Sequence, residues 1–141
     1  MKRMILLILI LLITLPSALF AQYKYTCFKS EANKKILLTV YFKKKKAVFV
    51  KYKDQKKIIP LVYVSTKQVD NIGGSPAFFW TETYVVKTGK KITGTYEFTN
   101  GGAYELQLNY TIGKTKKKTA FSIIESSVDK NFSPYRDVPC F

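Results

Sequence analysis

The chain contains no histidine. That excludes a histidine general base and a zinc site of the usual kind, since imidazole is the side chain that titrates near neutral pH and a common metal ligand. Cysteine is nearly as scarce, at two in 141 residues, and acids number 9 against 24 lysines and arginines. Arginine occurs only as Arg3 and Arg136. Specific recognition of phosphate or bases leans on the arginine fork, so a basic balance built from lysine does not point to specific nucleic-acid binding. No Gly-rich loop follows a strand and opens a helix, and no segment carries a helical period. Carboxylates, serines and lysines are left for catalysis, in no arrangement that makes an enzyme, and nothing asks for a cofactor or a metal.

What is present is alternation, clearest over Ile92–Ile112. Ile92, Tyr96 and Phe98 share one parity against Thr93, Thr95, Glu97 and Thr99. Tyr104, Leu106, Leu108, Tyr110 and Ile112 then alternate with Glu105, Gln107, Asn109 and Thr111. Period two on both sides of Asn100-Gly101-Gly102 predicts a β-hairpin with one buried and one wet face. A three-residue loop at these positions would pair Phe98 with Tyr104 and Tyr96 with Leu106, the glycines supplying positive φ. It would also set Gly94 against Leu108, where a glycine marks a bend or close packing, and Glu97 against Glu105, an unfavourable like-charge pair on the outer face.

The chain opens with a targeting segment. Lys2 and Arg3 precede an apolar run over Met4–Leu15, too short for a comfortable span, and small Ala21 suits the position before a cut. A signal peptide over 1–21 makes the protein secreted or periplasmic and leaves one domain, 22–141. Without Lys2 and Arg3, 22 basic residues face 9 acids, a net charge of +13. In an exported chain, Cys27 and Cys140 read as one disulfide. In the chain-entropy model such a closure is worth about 4–5 kcal/mol.

Further alternating runs fall at 23–28, 36–42, 47–53, 58–64, 77–86 and 119–125. With the hairpin they predict an all-β fold, a small antiparallel up-and-down barrel of about eight strands closed by one disulfide. Pro60 predicts an edge, a bulge or a shortened strand. Ser65–Ser75 reads as the longest connection. The irregular tail 126–141 would return along the barrel wall to bring Cys140 to Cys27.

In such a barrel alternate turns share a pole. One pole then gathers Lys34, Lys35, Lys53, Lys56, Lys57, Lys87, Lys90, Lys91, Lys114, Lys116, Lys117 and Lys118. The expected function is non-catalytic binding, by a monomer, of an anionic envelope component, with Lys56, Lys57, Lys90, Lys91, Lys114 and Lys116–Lys118 as contacts and peripheral membrane contact included. Two alternatives are a protein partner met through Ser75, Asn100 and Gly101, and carriage of a small apolar ligand, which needs an interior not filled by its own aromatics. Glu82 shares parity with Phe78, Trp80, Tyr84 and Val86. Facing inward it would need a partner; a strand break near Thr81–Thr83 that leaves it exposed is the simpler reading.

Tyr25-Thr26-Cys27, the run Gly94–Ala103 and the late Cys140 together resemble the exported inhibitors of C-type lysozyme. The resemblance implies an eight-stranded barrel that plugs the enzyme's cleft, hence an inhibitor of a secreted hydrolase. The chain departs from that family where its inhibitory Ser-Gly-x-x-Tyr would stand, with Gly74-Ser75-Pro76 the nearest approach, and where its hairpin lysine would fall at Asn100.

Overall fold

Strand after strand of alternating Thr, Tyr, Phe and Val yields nine strands among the described residues. A computed structural model describes residues 23–69, 79–101, 104–125, 128, 131 and 133–141; residues 1–21, read above as a signal peptide, and Ser75 lie outside them. The strands are β1 (Lys24–Ser30), β2 (Leu37–Lys43), β3 (Lys46–Tyr52), β4 (Ile59–Pro60), β5 (Val62–Val69), β6 (Phe79–Thr88), β7 (Lys91–Gly101), β8 (Tyr104–Ile112) and β9 (Lys118–Ile123). They form one sheet in the order β4-β3-β2-β1-β9-β8-β7-β6-β5, every neighbouring pair antiparallel. The two margins of that order, β4 and β5, are separated in the chain by Leu61 alone, so the sheet curls into a nearly closed up-and-down barrel.

Pro60 explains the ninth strand. Proline has no N–H to give a ladder, and the expected fourth strand is split there. Ile59 and Pro60 pair with Val50 and Phe49 of β3, the Leu61 N–H donates to the Val48 carbonyl at 2.9 Å, and Val62 begins pairing with β6. β5 then runs on through Val69, so the stretch 65–69 is strand rather than the start of a long loop.

The hairpin keeps its predicted faces and changes its register. Phe98 pairs with Leu108, Tyr96 with Tyr110 and Gly101 with Tyr104, with an irregularity between Thr99 and Gly101. The strand absorbs Asn100 and Gly101 instead of turning at them. The shift is even, four residues in the sum of partners, so inward residues stay inward. It abolishes the carboxylate pair: Glu97 faces Asn109, and Glu97 Oε2 lies 3.8 Å from Lys118 Nζ. Gly94 faces Ile112, not Leu108, and serves close packing. A Cβ there would sit 2.5 Å from Cε2 and the hydroxyl of Tyr110, whose ring stacks on Tyr96 at 4.5 Å.

Inward residues of β1, β2, β3, β6, β7, β8 and β9 meet in one core that includes Phe28, Leu38, Val40, Val50, Tyr84, Tyr96, Phe98, Leu108 and Phe121. Outside the barrel, Cys140 is bonded to Cys27, 113 residues earlier, and Arg136 exchanges two backbone hydrogen bonds with Tyr25, of 2.9 and 2.8 Å. β9 covers β1 only over Phe28–Ser30, and the returning tail takes the edge that remains. Outward-facing Tyr25 and Cys27 are thereby 3% and 2% exposed.

Two expectations follow. Gly94→Ala should destabilise the fold by about 1–3 kcal/mol, because Tyr110 cannot yield without leaving Tyr96; a urea midpoint measures it. The β2–β3 turn holds Lys44 and Lys45 at φ 49° and 65°, a conformation suited to Asn-Gly. Replacing the two lysines by Asn and Gly should raise stability by about 1 kcal/mol in the same assay.

Candidate functional site

The sheet order decides which turns meet. Because neighbours alternate in direction, β1, β3, β6 and β8 all run the same way and their C-terminal ends share one pole. All twelve lysines assigned to that pole, Lys34, Lys35, Lys53, Lys56, Lys57, Lys87, Lys90, Lys91, Lys114, Lys116, Lys117 and Lys118, are exposed. Glu31 and Asp54 are the acids in these turns. Among the described residues only Lys118 of this set has a carboxylate within ion-pair distance, Glu97. Tight turns explain the crowding: Gly89 at φ 60° and Lys116 at φ 58° reverse the chain within a few residues, so the lysines beside them crowd one end of the barrel.

Composition and spacing hid a further feature of this pole. Lys34-Lys35-Ile36, Lys56-Lys57-Ile58 and Lys90-Lys91-Ile92 repeat one tripeptide in three turns. Each isoleucine stands where a strand is about to begin or has just begun, and Ile36, Ile58 and Ile92 are 39%, 44% and 49% exposed. The ring of Phe141 is half-exposed, with Lys53 Nζ 5.9 Å from its centroid. The signal was in the sequence as a three-fold repeat, but it acquires meaning only when the three turns share an end.

The opposite pole has a different chemistry. β6 continues unbroken through Thr81–Thr83, so Glu82 keeps the inward parity of Tyr84, and the expected strand break is absent. Its charge is met on both oxygens. Lys46 Nζ binds Oε1, and the Tyr84 hydroxyl donates to Oε2 at 2.7 Å. The same hydroxyl accepts the Ala47 N–H at 3.2 Å, and Lys46 lies over the Tyr63 ring at 4.6 Å. Hydrogen bonding to Glu82 raises the Lys46 pKa. This cluster stitches β3 to β5 and β6 beyond the end of β4, which gives it a structural task. Asn100 and Gly101, expected as loop contacts, are strand residues; Asn100 pairs with Trp80. No group of three or more Cys, Asp or Glu side chains comes together as a metal site among the described residues.

Inside the barrel, the Tyr52 and Tyr96 hydroxyls are 2.9 Å apart. Burial pushes the Tyr96 hydroxyl far above the usual tyrosine range, with the Tyr52 neighbour adding to it. Burial does the same to Tyr84, helped by its hydrogen bond to Glu82. Comparison of the chain with protein-family models, with curated proteins and with solved structures finds no match.

The tyrosines set a limit at high pH. A phenol whose folded pKa is raised costs nothing below the unfolded value of about 10. Above it the unfolded chain releases the proton and the folded one does not, so stability falls as pH rises. The urea midpoint should therefore decline beyond about pH 10. In a titration followed by phenolate absorbance, Tyr84 and Tyr96 should ionise only together with loss of tertiary structure.

Proposed function

We propose that the protein is an exported, non-catalytic binding protein that docks through its lysine pole onto an anionic surface of the cell envelope or its surroundings. The observation that carries this reading is the convergence of twelve exposed lysines, against two acids, on one end of the barrel. Scattered lysines serve solubility; twelve on one face repel one another and are relieved by a polyanion. Each lysine that reaches an anionic membrane surface contributes about 1 kcal/mol, so a handful of contacts suffices for reversible attachment. The Cys27–Cys140 disulfide is consistent with an oxidising compartment, which accords with secretion after removal of 1–21. The interior is taken up by Phe28, Tyr84, Tyr96, Phe98 and Phe121, which favours surface binding over carriage of an apolar ligand.

Co-sedimentation with isolated envelopes tests the reading. Binding should be strong at low ionic strength and released by salt. Replacing Lys114, Lys116, Lys117 and Lys118 with serine should weaken it by at least about tenfold. Protein that stays in the supernatant at low salt would overturn the proposal.

A further inference from the structure

The lysine pole carries more than charge, and the addition narrows what it docks on. Ile36, Ile58 and Ile92 are the only isoleucines among the exposed large hydrophobic residues of the described chain, and all three belong to this pole. Each follows a pair of lysines directly. Phe141, also exposed, lies next to Lys53 of the same pole. A soluble acidic polymer has no use for such side chains: it neutralises lysines from water and leaves isoleucines where they were. A lipid bilayer uses both. Its headgroups pair with the ammonium groups while an apolar side chain one residue further on enters the boundary between headgroups and acyl chains. Lysine suits that arrangement, since its long stem lets the charge stay in the headgroup layer as neighbouring residues go deeper.

We infer that this pole is a peripheral anchor for anionic lipid, in which Lys34-Lys35, Lys56-Lys57 and Lys90-Lys91 meet the headgroups and Ile36, Ile58 and Ile92 seat in the interface. The inference rests on the docking proposed above and adds to it a partner and a mode of contact. Three insertion points on different turns define a plane, so the barrel stands on the membrane on one end, with the Glu82–Lys46 end and the β5–β6 and β7–β8 hairpin ends facing away from it. Charge brings the protein to the surface and the isoleucines lengthen its stay, so binding to a bilayer should lose its salt sensitivity only in part.

The experiment compares three probes with the purified protein: vesicles of phosphatidylcholine containing phosphatidylglycerol, vesicles of phosphatidylcholine alone, and dextran sulfate. The wild type should bind the anionic vesicles and the polymer but not the neutral vesicles. Serine at Ile36, Ile58 and Ile92 together should weaken binding to anionic vesicles by at least about tenfold and leave binding to dextran sulfate unchanged. A second measurement does not depend on the triple variant folding. Trp80 is the only tryptophan, so Ile92→Trp in a Trp80→Phe background places one reporter in the contact. Its emission should move to the blue on anionic vesicles and be quenched by brominated lipid chains. Unchanged vesicle binding by the serine variant, or an unmoved emission on bound vesicles, would overturn insertion while leaving charge docking in place. Binding to dextran sulfate without binding to anionic vesicles would overturn the lipid assignment in favour of an acidic polymer. Failure to bind any of the three would remove both this inference and the docking proposal beneath it.

Discussion

Closure of the barrel hangs on a short seam. Eight hydrogen-bonded neighbour pairs make an open sheet, and an open sheet has two edges with unpaired backbone groups. Here the two edges are consecutive pieces of one chain, β4 and β5, hinged at Leu61 after Pro60. The backbone joins β3 to this piece through β4 and the Leu61–Val48 bond. Side chains take over above it. Tyr84 accepts the Ala47 N–H, Glu82 binds Lys46, and Tyr63 packs edge-on against Tyr84 at 5.6 Å between ring centroids. A carboxylate is an odd choice for the inner face of a barrel, and its presence is accounted for once its two oxygens are seen to hold the seam. The convergence of turns at each pole depends on that closure.

The C-terminal tail plays a parallel part on the outer wall. β9 is too short to cover the full length of β1, and an uncovered stretch near Tyr25 would be an exposed edge. Arg136 supplies the missing backbone partners and Cys140 holds the tail in place covalently. In the chain-entropy picture a disulfide of this separation acts chiefly on the unfolded chain; in the folded one it keeps Tyr25 and Cys27 dry. Tyr25 also continues an aromatic row outward, with Tyr41 at 5.0 Å and Phe49 at 6.3 Å beyond it. The two ends of the domain are therefore packed as one wall.

Period-two patterning made most strands readable, and parity survived even where register did not. The β7–β8 hairpin shows why. Asn-Gly-Gly is a strong local turn signal, yet continued pairing of Asn100 with Trp80 on β6 keeps that stretch in the sheet. A neighbouring strand that the local sequence cannot announce thus overrode turn propensity. The Glu97–Glu105 pair was a consequence of the register alone and vanished with it. Glu82 was misread for a related reason: burial statistics disfavour an inward carboxylate, and its partner Lys46 lies 36 residues away.

Alternation, turn residues and two cysteines at the margins of the domain determined an all-β chain, its strand directions and its disulfide partners, because these rest on neighbours along the chain and on simple counting. The same information located twelve lysines in four turns. Only the tertiary structure decided that closure runs through Pro60 and that Glu82 and Lys46 share the seam. Each of these joins residues far apart in sequence, and such contacts are selected by packing and by the need to pair buried polar groups, forces that no local pattern records.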